Sequence, residues 1–456
     1  MRHIDWPLLV VSSLLLAMPA RAATRPHYGG TLRIMMQSAP ASLDSIENAN
    51  AVANDPAQSS LSRLIFDTML SLDSQGRPQP ELAVAWQADP SHQRWQFTLR
   101  DGVRFHDGSP LTSDVAAAAL RMSNPSWKVV PLGGSLVIEC PSPCPDILAE
   151  LALPGNAIAK GDGQPQGTGP FAVGNWQPGK KLTLIAQDDY WNGRAFTDSI
   201  QVDMGKNVRE QMLALDLNRA DVVQIAAEQA HRAAAEGRRV VRSSPVELIA
   251  LVFARDRQSP EEGRLRDALA LSIDRQSMKN VLLQGEGVAT GGILPDWLTG
   301  YGFLFPVDAD LQRARQARNE VRVSPTWTLG YDASDPLARL IAERIVLNAR
   351  DAGLALQVSS AASTDLRVLR ISLSSVNPSI ALASAARSLG LPAPILGGHS
   401  VEDLYTAERG LLLSQRVIPL LHLPVSYGLS GSVRNWNQDN RGIWHLEDVW
   451  MGTDKP

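Results

Sequence analysis

Two cysteines in 456 residues exclude a disulfide-dense scaffold and most cysteine-based metal sites. The pair, Cys140 and Cys144, brackets a Pro-Ser-Pro turn. In an oxidising compartment such a turn can hold two Cα atoms within the ~7 Å that a bridge requires, so a small disulfide loop is expected, with free thiols as the alternative. No histidine lies nearby to complete a metal set. An excess of one charge is missing too. The chain carries 43 basic and 47 acidic residues, a net charge of −4, which lacks the basic footprint of a nucleic-acid binder. The arginines greatly outnumber the lysines but are scattered, so they read as compositional bias rather than a polyanion site.

The common catalytic signatures are also lacking. There is no Gly-x-Ser-x-Gly elbow and no His-Glu-x-x-His. The eight histidines are dispersed. His106 reads as structural and His399 as part of a solvated helix start near Glu402 and Asp403. His422 reads as core or lobe-edge packing, with a pocket role left open. Gly174 to Lys181 nearly spells a phosphate loop, but ends in Lys181 where a Ser or Thr must hold magnesium. Gly167-x-Gly169-x-x-Ala172 imitates a dinucleotide fingerprint, but a strand follows it where a helix start is required. No cofactor, no metal and no enzymatic activity are therefore expected.

Long apolar runs are confined to the start. Arg2 precedes an apolar stretch from Leu8 to Met18, then Pro19 and Ala20-Arg21-Ala22. This is the pattern of a secretory signal, residues 1–22, cleaved between Ala22 and Ala23; a retained anchor is the alternative. No cysteine follows for a lipid anchor, so a soluble exported protein is expected. No later run approaches the ~18 apolar residues of a membrane span.

What remains is an alternation of strand and helix patterns, which places the chain in the α/β or mixed α+β class. Strands are expected at 31–36, 170–176, 182–187, 200–204, 221–225, 245–254 and 354–358. Helices are expected at 60–72, 113–122, 208–217, 265–273 and 336–352, with Thr112 and Asp274 as caps and Asn218 as a left-handed end. Two alternating runs, 94–100 and 103–106, flank Asp101-Gly102 and predict a β-hairpin.

Seven motifs in order carry a resemblance. They are Gly30–Ile34, Pro80–Trp86, the long stretch from Trp95 to Asp114, Gly167–Phe171, Asp189–Gly193, Arg264–Leu269 and Ser272–Arg275. The chain resembles the oligopeptide, dipeptide and nickel class of bacterial extracellular solute-binding proteins, the capture subunits of ABC importers. The resemblance implies a periplasmic-binding-protein-like fold with three lobes. Lobe I would be residues 23–60, 163–248 and 419–456, lobe II 61–162, and a shortened lobe III 249–418. It implies a ligand held between lobes I and III by hinge closure, a periplasmic location, an ABC permease as partner and a monomer. Ser42 and Asp44 would approach the cleft, as would Tyr427, Arg434, Trp436 and Asn437 on the returning chain. Arg434 would pair with a carboxylate and Trp436 would stack on an apolar group. Two departures stand out. Residues 364–394 lack the aspartate loop with which peptide-binding members hold the peptide amine, and Ala254 replaces a usual Asn. The rival readings are a solute sensor or chaperone-like protein without transport and, with nothing positive in its favour, a secreted hydrolase.

Overall fold

The computed structural model describes residues 25–43, 55–161 and 166–452. The expected signal segment 1–22, its cleavage site at Ala22 and Ala23, and Asp44 lie outside the described residues.

Strand β1 (Thr31–Met35) alternates buried and half-buried side chains. Helix α1 (Pro56–Ile65) starts where Asp55 accepts the Ala57 N–H at 2.9 Å and Pro56 fills the first turn. It therefore begins and ends earlier than the expected 60–72. Phe66 leaves it in an extended conformation, and the chain passes into a short strand, Leu70–Leu72. Next come β2 (Ala83–Ala88), β3 (Arg94–Leu99), α2 (Ser113–Ser123), β4 (Lys128–Leu132) and β5 (Ser135–Glu139). They form an antiparallel sheet ordered β2-β3-β5-β4, with α2 against it.

The expected 94–106 hairpin does not form. Both edges of β3 are taken, by β2 and by β5. The second run makes only one isolated bridge, Arg104 to Pro110, and Val103 and Phe105 drop into the core instead. Cys140 and Cys144 are joined, with Cα atoms 6.4 Å apart, just ahead of the short helix α3 (Ile147–Glu150).

The rest of the chain builds one large sheet. Its parts are β6 (Phe171–Gln177), β7 (Lys181–Ala186), β8 (Ser199–Asp203), α4 (Val208–Asp216), β9 (Val222–Ile225), α5 (Ala227–Ala235), β10 (Arg239–Phe253) and α6 (Pro260–Ser272). Then follow β11 (Thr326–Gly330), α7 (Pro336–Asp351), β12 (Ala355–Ser359), β13 (Leu366–Ser372), α8 (Pro378–Ser388), α9 (Val401–Leu413) and β14 (Val417–Leu429). The order is β12-β11-β13-β10-β14-β9-β1-β8-β7-β6, with a short strand, Val288–Ala289, also on β14. Asn218 ends α4 with a positive φ of 55°, as its position predicts. The Gly174–Lys181 segment is the end of β6 and its turn into β7.

Three bodies have their own apolar cores. The first is built on β1, β6 to β9 and the chain after β14, with α1 packed on it through Leu61, Leu64 and Ile65. The second is the four-stranded sheet with α2. The third surrounds β10, β11, β13 and α7 on one face and α8 and α9 on the other. The fold is mixed α/β.

Candidate functional site

Among the described strands, only β10 and β14 run through both the first and the third body. They have 15 and 13 residues, and at ~3.3 Å per residue β10 reaches about 50 Å. They pair antiparallel along their length, but the register shifts between Arg242 and Pro245 and again between Pro245 and Glu247. At that point Pro245 faces Pro424. Neither proline has an N–H to give the ladder, and bulges bend a strand, so the sheet is weakest where it passes between the bodies. The crossing has the features of a hinge.

The parallel strands aim at this crossing from both sides. β1 and β9 end beside it in the first body, since Ile225 lies opposite Ser426 and Met35 lies one residue past the Ile34–Val222 pair. β13 ends beside it in the third, with Ser372 opposite Glu247. Ligands of open α/β sheets sit outside such carboxyl ends.

Side chains close the seam between the bodies. Trp297, from the third body, donates Nε1–H to the Pro245 carbonyl at 2.8 Å. Trp297, Leu373 and Trp436 pack as half-buried groups against the core of the first body. Arg441, on the returning chain, donates to Asp439 Oδ2 from Nε and Nη2 at 3.0 and 2.9 Å and reaches the Ser374 carbonyl with Nη1 at 2.8 Å. Burial opposes charge on Asp439, but the Arg441 guanidinium and the Ile443 N–H outweigh it and hold the carboxyl below its usual range. On β10 itself, Glu247 pairs with Arg370, which also lies 3.8 Å from Asp335. Burial weakens the Arg370 charge, yet these carboxylates raise its pKa overall. The Ser374 Oγ is buried without a hydrogen-bond partner among the described residues.

The sequence-derived candidates scatter around this seam. Ser42 is half-buried on the chain after β1. Tyr427 is fully buried in the first body, its hydroxyl 3.3 Å from the Gly442 carbonyl and its ring against Trp436 and Trp444. It is a core residue, because β14 alternates and turns Val425 and Tyr427 inward together. Arg434 lies past the outer end of β14, on a short strand beside Trp450, with its guanidinium on the Gly431 carbonyl. That end is remote from the crossing. Trp436 is half-buried against the core of the first body, its ring beside Tyr427 and Trp444, and Asn437 is exposed next to it. His422 is buried with Nε2 donating to the Ile293 carbonyl at 3.0 Å, and burial pulls it down to about 4. Sequence reasoning did not single out Trp297, Arg441, Asp439, Glu247 or Arg370. Two prolines inside strand-like runs, Pro245 and Pro424, were the readable signal, since proline in a central strand marks a bulge or a break.

A family model described as bacterial extracellular solute-binding proteins, family 5 Middle, matches residues 77–376. A probable D,D-dipeptide-binding periplasmic protein of Escherichia coli K12 is 24% identical over 322 residues, 63% of this chain and 62% of the relative. The chain thus matches just under two thirds of that relative's length. The ABC transporter-associated periplasmic binding protein DppA of Helicobacter pylori, solved with the peptide STSA, superposes with a TM-score of 0.80 at 15% identity, covering 94% of this chain and 99% of that one. NikA of Staphylococcus aureus, solved with Ni(L-His)2, gives 0.76 at 16% identity, covering 92% and 99%. Among the described residues no helix is long and apolar enough to cross a membrane. With the family model matching well over half of its residues, the chain belongs to the bacterial extracellular solute-binding proteins of family 5.

Proposed function

We propose that the protein captures a short peptide or peptide-like solute in the periplasm and delivers it to an ABC permease, without catalysis and as a monomer. The three bodies then correspond to lobes I, II and III, and the solute sits between the first and third. The observation that carries this reading is the paired crossing of β10 and β14, weakened at Pro245 and Pro424, with the carboxyl ends of β1, β9 and β13 converging on it. Hinge closure over a ligand uses such a joint. The unpaired Ser374 hydroxyl supports it too, because a buried hydroxyl is costly until something bonds to it. Arg441 and Trp436 are the proposed contacts on the lobe I side, with Trp297 and Ser374 on the lobe III side.

The test is native mass spectrometry of the protein purified from its periplasmic fraction without denaturant, with released molecules sequenced. A peptide at stoichiometric amount is expected. An empty protein goes on to a thermal-shift panel of di- to pentapeptides, sugars and metal–histidine complexes. A ligand at 100 times its Kd stabilises by about 2.7 kcal/mol, which raises the Tm. Stabilisation by sugars or metal complexes alone would overturn the peptide assignment, and silence across the panel would overturn capture.

A further inference from the structure

The second body stands apart from the hinge, yet it grips the third. Asp146 occupies the N-cap position of α3, but its side chain does not cap that helix. The carboxylate faces across the gap between the bodies. It accepts Asn377 Nδ2–H at 3.4 Å on one oxygen and lies 3.8 Å from His399 Nδ1 on the other. Asn377 works from both ends, since its own Oδ1 caps α8 through the Ile380 N–H at 3.0 Å.

A second contact falls on the same loop. Gly76, with φ +74°, lies so near the Val376 carbonyl that a Cβ would stand 3.0 Å from it. Next to it, the Ser74 carbonyl accepts Asn440 Nδ2–H at 3.4 Å. From the first body, Arg441 holds the Ser374 carbonyl of that loop. Residues 374–377 are thus held from three directions.

The loop that presents Asp146 is itself stapled. The Cys140–Cys144 bridge closes it, and the N–H groups of both cysteines bond to the Gln93 and His92 carbonyls at 2.8 and 2.9 Å. Beneath it lies an open cavity of about 550 Å3, lined by the disulfide loop, Trp127, Glu150 and residues 396–399. The two bodies face each other here across this open space, and the contacts of Asp146 bridge it.

We propose that the second body is a latch: the Asp146 carboxylate and the Gly76 turn clamp the 374–377 loop and tie the second body to the third. Asp146 is then a positioning residue, acting on the solute only through the loop that Arg441 holds from the other side. The latch rests on the hinge reading above, but its test uses no ligand.

The test is hydrogen–deuterium exchange on the full ligand-free protein. Asp146→Ala is expected to speed exchange of peptides covering 374–380 by about tenfold, as local opening becomes easier. Exchange in β3 and β5 of the second body should stay as in the wild type. Asp146→Asn keeps an acceptor for Asn377 and loses the carboxylate beside His399, so it should fall between the two. Wild-type exchange at 374–380 in Asp146→Ala would overturn the latch. Equal loosening across β3 and β5 would do so as well, because that marks a residue that only supports its own body. If Asp146→Ala fails to fold, Asp146→Asn and His399→Ala decide the matter, His399 being exposed. Faster exchange at 374–380 or 396–399 in either upholds the latch, and unchanged exchange in both overturns it. The outcome stands whether or not a solute is ever found, so it is separable from the peptide assignment.

Discussion

Asp67 collects three side-chain hydrogen bonds, from Thr168 at 2.9 Å, Tyr190 at 3.0 Å and Trp191 at 2.8 Å. It ties the first body to the second, because the chain around it leaves α1 for the small sheet. Burial, and then the neighbouring Glu81, push its carboxyl up to about 7 against those three donors. A raised acid binds a proton more tightly in the native state. Its contribution to stability is therefore complete below pH 3.8 and is lost as the pH climbs through 7. His422 works in the opposite sense. Its pKa is held near 4 by burial, so its contribution is present above pH 6.5 and is lost as the pH falls through 4. Asp67→Asn, which stays neutral and keeps an acceptor for the donors, should remove the first slope and leave the second. In urea unfolding from pH 4 to pH 8, the variant should gain on the wild type by on the order of 4 kcal/mol. A constant difference across that range would show that Asp67 is held as an anion. The Asp67 cluster was not readable in the sequence, since its three donors lie more than a hundred residues away. Local roles were readable: Asp274 accepts the Ser277 N–H and Thr112 the Val115 N–H, each three residues on.

Among the elements, legibility followed the same rule of distance. Strands β1, β6, β7, β8 and β9 and helices α2, α4 and α7 fall within two residues of their expected bounds, because caps, glycine ends and alternation are local signals. The 94–106 hairpin failed because alternation says that a strand forms and not which strand pairs with it. β3 had two better partners, and Phe105 was worth more in the core than on an edge. The crossing strands were half visible. A buried strand over 245–254 was expected, but β10 starts at Arg239, and its passage between two bodies depends on β14, some 170 residues later. Trp297 decides how firmly that joint is held. Its indole supplies the Pro245 carbonyl with a donor where the ladder has none. Trp297→Phe keeps much of the packing and strands that carbonyl, at a cost of about 1–3 kcal/mol. The loss should appear in denaturant unfolding together with faster amide exchange at 243–247. Unchanged exchange there would mean that the indole is ordinary packing.

At the scale of the whole molecule, the question is what sets the balance between an open and a closed chain. The motif series located the fold, because those motifs are framework. It did not locate the seam, because the seam is made by residues that share no motif: Trp297, Ser374, Asp439 and Arg441 are far apart in the chain and meet only in the folded molecule. Of these, Arg441 alone bonds both bodies at once, with Asp439 on its own segment and the Ser374 carbonyl across the gap. A planar fork can do this; a lysine, with one compact charge, cannot reach both partners in the same geometry. Arg441→Lys should therefore keep the Asp439 charge partnered and the fold stable, while releasing the contact between the bodies. Small-angle scattering of the ligand-free variant should give a radius of gyration above the ~22 Å of a compact chain of this length, with the wild type closer to it. On the proposed capture by hinge closure, affinity should fall by the fraction of closed protein lost, about tenfold if nine tenths open. Equal scattering from the two proteins, with equal binding, would move control of closure away from Arg441 and onto the proline joint itself.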